Sequence, residues 1–412
     1  MAKKKKGPRN ISGGKESRSR DLDWCMGSRF TERTGQENKW VTSSEWEEMM
    51  TNKPVKLFSP NSFTKEWTNE LQKTFKSGQL AQSGKVAEFE REFGLKFGYP
   101  YSVSVNSGTA ALQLAFHLAG IKKGDKVLVP VLTCTATNIP LVHLGAEIVF
   151  VDINKDTMTM DYQDLYKKID GAKAIVTVNL GGLLCDDRIY TLAHEKKIPV
   201  IIDACQSLGI PERSGDYICY SFQAIKHFTT GDGGMLVVKT SDDYTRAKNL
   251  RWFGIDRDAR LKLNFDFTPT NREMCMNMDE AGWKLHMNDI EATMGLVGLK
   301  HSDESMDHRK SLIDIYVGCL QDKVPIVYGG SFWLFAIMLE NRDKGVMDKI
   351  KERGVECDLV HLRNDIFTPF GSKRQDLPNM AWVEERYLYV PMHINLKPRD
   401  VEHVSKVILE EM

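Results

Sequence analysis

The chain has 412 residues, and its 56 lysines and arginines balance 56 aspartates and glutamates. A neutral total argues against a general nucleic-acid binder, which needs a basic excess. No run approaches the roughly 18 apolar residues of a spanning helix, and the charged start lacks the apolar core of a secretory signal.

The balance is composite. Residues 1–20 carry eight basic side chains (Lys3, Lys4, Lys5, Lys6, Arg9, Lys15, Arg18 and Arg20) against Glu16, so this segment is +7 and the other 392 residues sum to −7. A charge run of this kind reads as a solvated, disordered tail. The expected setting is the cytoplasm, with no membrane or nucleic-acid partner. Eight cysteines (Cys25, Cys134, Cys185, Cys205, Cys219, Cys275, Cys319 and Cys357) are scattered without CxxC or histidine-spaced clusters, which fits neither a metal site nor a disulfide scaffold. Reduced thiols and no metal are expected.

Up to residue 55 there is no sustained hydrophobic period, although Ser44-x-x-Glu47 has capping-box spacing for a short helix ending at Met50. From Phe58 onward, short β-branched runs alternate with helical patterns. The runs are Val103 to Val105, Lys126 to Val131, Ala146 to Asp152, Ala174 to Val178, Pro199 to Asp203, Tyr217 to Phe222 and Gly234 to Val238. Helices are expected over Thr109 to Ala119, Thr137 to Leu144 and Tyr162 to Lys168. This alternation predicts an α/β fold with a largely parallel sheet covered by helices on both faces, and such sheets bind ligands beyond the carboxyl ends of their strands. One or two long helices follow from Met287 to about Leu320. Then come a strand (Trp333 to Leu339), a helix (Val346 to Arg353), a strand (Tyr387 to Met392) and a helix (Arg399 to Glu411). The chain thus divides into an extension over 1–55, a large α/β domain over 56–300 and a small α+β domain over 301–412.

Three segments carry chemistry. Asn106-Ser-Gly-Thr109 leaves a strand and opens a helix, where free backbone N–H groups can cradle a phosphate, although an ordinary helix cap has the same residues. Pro199-Val-Ile-Ile-Asp203 drives a carboxylate to the end of a buried strand, where it needs a cation or hydrogen bonds; capping the next turn is the other reading. Lys226 sits among Phe222, Ala224, Ile225 and Phe228, ahead of Gly231-Asp-Gly-Gly234; apolar surroundings favour the neutral, nucleophilic amine over a surface ammonium. A cofactor with a phosphate, a basic ring nitrogen and an aldehyde would use all three groups in one cleft, and pyridoxal phosphate is such a molecule.

With these residues the sequence resembles the sugar-aminotransferase family named after DegT, DnrJ, EryC1 and StrS, within fold type I of the pyridoxal-phosphate enzymes. The resemblance runs from about Ser59 to the C-terminus. It includes Ser77-Gly-Gln-Leu-Ala-Gln-Ser-Gly84 with Glu88-Phe-Glu90, Ser107-Gly-Thr-Ala-Ala-Leu112, Gly124-Asp-Lys-Val127, Phe150-Val-Asp152, Asp203-Ala-Cys-Gln206, Ser221-Phe222, Lys226, Gly231-Asp-Gly-Gly234 and Met287-Asn-Asp-Ile290. It implies a seven-stranded, mostly parallel sheet and a homodimer with shared active sites. It also implies that Lys226 forms the internal aldimine and shuttles the proton, that Asp203 pairs with the ring nitrogen and Gln206 lies near the ring hydroxyl, and that Gly108, Thr109 and Ser221 hold the phosphate. The implied reaction moves an amino group from glutamate to a nucleotide-linked keto sugar, often a 4-keto-6-deoxyhexose, through pyridoxamine phosphate.

The sequence departs from the family pattern at four places. Cys134 stands where many members stack an aromatic ring, and Asn179 stands for a histidine. The motif that meets the neighbouring site reads Trp283-Lys-Leu-His286, giving Lys284 of the partner subunit to the phosphate and His286 to the substrate. His361-Leu-Arg-Asn-Asp365 differs from the common His-Tyr pattern. Gln82 and His361 are further expected substrate contacts. Some relatives with histidine in place of the lysine are dehydratases; Lys226 favours transamination over dehydration, over amination of a cyclitol and over an inactive scaffolding role.

Overall fold

Seven strands build the large sheet: β1 (Ser102–Val105), β2 (Lys126–Pro130), β3 (Glu147–Val151), β4 (Ala174–Val178), β5 (Val200–Asp203), β6 (Tyr217–Ser221) and β7 (Gly234–Val238). Their order is β1-β7-β6-β5-β4-β2-β3. All neighbours are parallel except β7, which runs antiparallel to both β1 and β6. The computed structural model describes residues 54–412 except 213, 258, 260–267, 269–275, 277, 343 and 344. The basic segment and the short helix expected before Met50 lie outside the described residues.

The central strands are buried along their whole length, as strands covered on both faces must be. Each valine or isoleucine they bury contributes about 1.5–3 kcal/mol. The helices on the two faces, in chain order, are α1 (Thr64–Ser77), α2 (Gly84–Phe97), α3 (Gly108–Leu118), α4 (Thr135–Leu144), α5 (Tyr162–Lys168), α6 (Asp187–Glu195), α7 (Ser241–Leu250) and α8 (Asp289–Lys300). One apolar cluster joins Val103, Val127, Val176 and Ile201 to α3; the other joins Leu128, Ile175 and Ile202 to Phe89 and Phe93 of α2. Residue parity along each strand decides which cluster receives it. The helix-covered, largely parallel sheet is that expected from the alternating pattern, and its seven strands in a fold type I arrangement are what the family resemblance implies.

The long helical pattern after Met287 resolves into two helices. Asn288 caps α8 through a full capping box, and His301 separates it from α9 (Ser302–Leu320). A second, antiparallel sheet of three strands has the order β10-β9-β8, with β8 (Ile326–Tyr328), β9 (Phe335–Met338) and β10 (Tyr387–Val390). Helices α10 (Val346–Glu352), α11 (Pro378–Glu384) and α12 (Pro398–Glu411) complete this half. Strand β8 was not foreseen, because three residues are too few to show a period. The strand expected from Trp333 starts at Phe335: Trp333 and Leu334 pack against the large sheet's cluster, outside the small sheet.

Val55 pairs parallel with Val355, and the Glu356 carboxylate accepts from the Leu57 N–H at 3.0 Å. The packed body therefore already includes the last residue of the segment read as an extension.

The connection between β8 and β9 presses its backbone against the turn after β4. Gly182 there has φ 89°, and a Cβ on Gly329 would overlap the Gly182 carbonyl carbon. Since backbone cannot yield as a flexible side chain can, Gly329→Ala is expected to destabilise the protein by about 1–3 kcal/mol or more, read as a lower urea midpoint at unchanged slope. An unchanged midpoint would show that this connection shifts freely.

Candidate active site

The carboxyl ends of the strands converge because β7 lies between β1 and β6. Gly234 pairs with Val105 on one side and with Ser221 on the other. The end of β1, the head of α3 and the end of β6 therefore meet at one point. Ser107 caps α3 by accepting from the Ala110 N–H at 3.1 Å, which leaves the first amides of the helix without intrahelical partners. Gly108 is required there: a Cβ would come within 2.8 Å of the Ser221 Cβ and 2.9 Å of the Cys205 Sγ. Gly108, Thr109 and Ser221 consequently border one cleft, and the amides and hydroxyls they bring form an anion cradle.

The cleft measures about 630 Å³ and is also lined by Cys134, Asp203, Cys205, Gln206, Lys226, Trp333 and His361. Asp203 is the last residue of β5 and is buried. Its Oδ2 accepts from the Thr137 hydroxyl at 2.7 Å and its Oδ1 from the Cys205 N–H at 3.1 Å. Thr137, on the first turn of α4, is itself 2.8 Å from the hydroxyl of Thr133 in the segment before the helix, so the pair orients the carboxylate. Gln206 is buried; its Oε1 accepts from the Gly181 N–H at 2.7 Å, while its Nε2 lies 2.9 Å from His361 Nε2.

Lys226 follows β6 in a turn that also holds Phe222 and Phe228, stacked at 4.9 Å. Burial lowers the Lys226 pKa, and Cys205, Asp203 and Cys134 act in the opposite direction. Its Nζ lies 4.0 Å from the centroid of the Trp333 ring. Burial raises the Cys134 thiol, so it faces the cleft as a neutral, soft group. The six cysteines that the structure describes fully are free thiols. Among the described residues no cluster suited to a metal ion occurs.

Other expected site residues lie elsewhere in this chain. Asn179 does not line the cleft: it is buried at the end of β4, donates to Ser207 Oγ at 3.1 Å, and its Oδ1 lacks a partner. Gln82 borders a separate cleft of about 510 Å³ with Arg251 and Arg257. Lys284 and His286 gather around Trp252, with Lys284 Nζ 5.9 Å from its centroid and the His286 ring edge-on at 4.3 Å. Three groups escaped the sequence reading. Thr137 was legible as a hydroxyl at the start of an expected helix, and Cys205 lay inside a motif already noted. Trp333 gave no local signal, since it lies more than a hundred positions from the lysine it meets.

Burial also pushes His227 and His361 down to about 3. His227 Nε2 donates to the Ser331 carbonyl at 2.8 Å, a role for the neutral ring. Below about pH 6.5 the unfolded chain takes up protons that these folded histidines refuse, so their contribution is complete above that pH and is lost as pH falls toward 3. Urea midpoints are therefore expected to fall from pH 6.5 to 4.5, with a shallower decline in His227→Gln. A flat profile over that range would contradict the burial of both rings.

A cleft that combines a lysine in apolar surroundings, a strand-end aspartate and a helix-head anion cradle matches one set of known proteins. The model of the DegT/DnrJ/EryC1/StrS aminotransferase family matches residues 61–409. The chain belongs to this family. It is a pyridoxal-phosphate-dependent aminotransferase, and solved structures similar to it include named sugar aminotransferases. The spore coat polysaccharide biosynthesis protein SpsC of Bacillus subtilis is 30% identical over 369 residues, covering 84% of this chain and 94% of its own. Among solved structures, the sugar aminotransferase CalS13 from Micromonospora echinospora superposes with a TM-score of 0.77 at 29% identity, covering 86% of this chain and 99% of its own. The pyridoxal-phosphate form of the putative sugar aminotransferase Spr1654 from Streptococcus pneumoniae has a TM-score of 0.78 at 25% identity, covering 86% and 97%.

The fit of the cofactor to this aminotransferase can be judged from its own residues. The glycine at 108 lets the head of α3 pack against Ser221 and Cys205 at the border of the cleft, the buried Asp203 carboxylate lines the same cleft with Thr137 and the Cys205 amide as its hydrogen-bond partners among the described residues, and Lys226 shares the cleft with both. The residues fit pyridoxal phosphate.

Proposed function

We propose that this aminotransferase transfers an amino group from glutamate to the keto carbon of a nucleotide-linked sugar, with a 4-keto-6-deoxyhexose as the favoured class. The observation that carries this reading is the convergence of Lys226, Asp203 and the head of α3 on one cleft. When bound, the cofactor supplies an aldehyde that takes up the amino group and a protonated ring that withdraws electrons from the reacting carbon.

The chain's own residues do the rest. The amides of Gly108 and Thr109 and the hydroxyl of Ser221 would hold the phosphate; the Asp203 carboxylate, kept in place by Thr137, would hold the proton of the ring nitrogen. Gln206 would border the ring's polar edge, with His361 beside it. Lys226 would be the residue that holds the cofactor covalently and, as a free amine, would move the substrate's proton as general base and acid, which its lowered pKa favours. Cys134 closes one side without an aromatic face. The reading includes pyridoxamine phosphate as the cofactor's other form and a cytoplasmic homodimer, in which Lys284, His286 and Gln82 would complete the neighbouring site. None of the three lines its own chain's Lys226 cleft, which supports that reading.

The test supplies ¹⁵N-glutamate and a panel of nucleotide-linked keto sugars and follows products by mass. A ¹⁵N-amino sugar still attached to its nucleotide is expected. A dehydrated sugar or an aminated cyclitol would replace this reading with another chemistry on the same cofactor. A protein that neither binds the cofactor nor turns over any sugar would end it.

A further inference from the structure

The connection between β8 and β9 does more than join two short strands. Residues 329–334 leave the small sheet and enter the cleft, held by four hydrogen bonds. Ser331 Oγ donates to the Gln206 carbonyl at 2.6 Å, and His227 Nε2 donates to the Ser331 carbonyl at 2.8 Å. Arg309, fully buried, donates to the Phe332 carbonyl at 3.2 Å, and the Trp333 indole N–H donates to the Ile225 carbonyl at 3.3 Å. Phe332 is held at φ 54°, a conformation that a bulky side chain adopts only under such constraint. The outcome of this anchoring is one placement. The indole of Trp333, only 1% exposed and backed by the Phe58 ring stacked at 5.6 Å, presents its face to Lys226 Nζ at 4.0 Å.

Four fixed hydrogen bonds and an aromatic backing are more than packing an indole requires. A tryptophan face attracts an ammonium group most strongly of the aromatic side chains, and more so where water is excluded. We propose that Trp333 is a positioning residue for Lys226: its face holds the ammonium form of the lysine and sets how readily the proton is given up.

The titratable groups that act on Lys226 are Asp203 at the end of β5, Cys205 just after it, Cys134 at the head of α4, His361 and the adjacent His227, and the carboxylates of Asp232, Glu356 and Asp358 line the same cleft. Asp203 attracts the ammonium but is already held by Thr137 and Cys205, and the two thiols are neutral. Both histidines are neutral as well and supply no counter-charge. Trp333 is thus the uncharged partner that favours the ammonium without competing for the cofactor's ring nitrogen. Once Lys226 has taken the substrate's proton, that face is where its ammonium would rest. This step goes beyond the choice of substrate and rests on Lys226 being the amine that takes the cofactor.

The proposal is tested on the cofactor-free full chain by NMR of ¹³C-labelled lysine, with the Lys226 ε-methylene assigned from Lys226→Met. Two signatures are expected: an upfield ring-current shift of that methylene in the parent, which reports the contact, and a titration midpoint that falls by about one unit in Trp333→Leu, which keeps apolar cover but removes the π face. Trp333→Phe is expected to lie between the two, and it decides the matter alone where the leucine variant does not fold. A purely structural tryptophan predicts equal midpoints; that result, an absent ring-current shift, or a midpoint that rises in Trp333→Leu overturns the proposal. Capture of added pyridoxal phosphate is measured on the same samples. A parent that shows both signatures yet captures no cofactor would refute the reading of Lys226 as the cofactor's lysine while leaving the Trp333 contact established.

Discussion

Lys226→Ala is expected to bind pyridoxal phosphate without covalent attachment and to lose amino transfer by roughly 10²–10⁴-fold or more, the range for removing a positioned general base, with the loss of the covalent link added. The side chain forms no ion pair among the described residues, and the buried Asp203 carboxylate that faces it keeps its hydrogen bonds from Thr137 and the Cys205 amide when the amine is removed. Folding should therefore survive, and the activity loss can be assigned to chemistry. The measurement combines the visible band of the bound cofactor, borohydride fixation followed by peptide mass, and single-turnover kinetics with glutamate. Fixation that persists in the variant would place the reactive amine elsewhere.

Asp203→Asn is expected to keep the fold and lose roughly 10²–10³-fold in kcat, the magnitude typical of removing one preorganised electrostatic partner of a developing charge. The carboxamide has nearly the carboxylate's volume, and its oxygen can still accept from Thr137 or from the Cys205 amide. What it lacks is the negative charge that keeps a ring nitrogen protonated. Two observations separate this from general damage. Thermal stability should change little, and Thr137→Val, which loosens the carboxylate without removing it, should lose less than Asp203→Asn. Equal kcat in Asp203→Asn and the parent would show that the ring nitrogen is held by another group.

Much of the large domain was legible because its information is local. A strand buried on both faces must be apolar throughout, so Ala174–Val178 and Gly234–Val238 could be delimited without error, and the glycine and hydroxyl residues at 107–109 mark a helix head wherever they occur. Asp203 stood out by ending an apolar run and Lys226 by standing among aromatic residues before a glycine-rich turn, yet each run by itself left a bland reading open, and it was their order along the chain and the family resemblance that joined them. Boundaries blurred where side chains were recruited by distant structure. Trp333 looked like the first residue of a strand, yet hydrogen bonds from Ser331 and Trp333 draw it into the cleft. Asn179 occupied a motif position that suggested cofactor contact, yet its amide turns to Ser207 behind the cleft.

The zero net charge illustrates the same division. The sequence alone separates a +7 segment from a body at −7, and it names the lysine, the aspartate and the helix head from local chemistry. Only the tertiary structure shows that β7, running against its neighbours, brings those three groups to one point, and that the small domain reaches across to place Trp333 and His361 beside them. Residue type and spacing fix what a group can do chemically. Which groups act together depends on contacts between positions far apart in the chain, and those are set by strand order and packing, which no short stretch of sequence encodes.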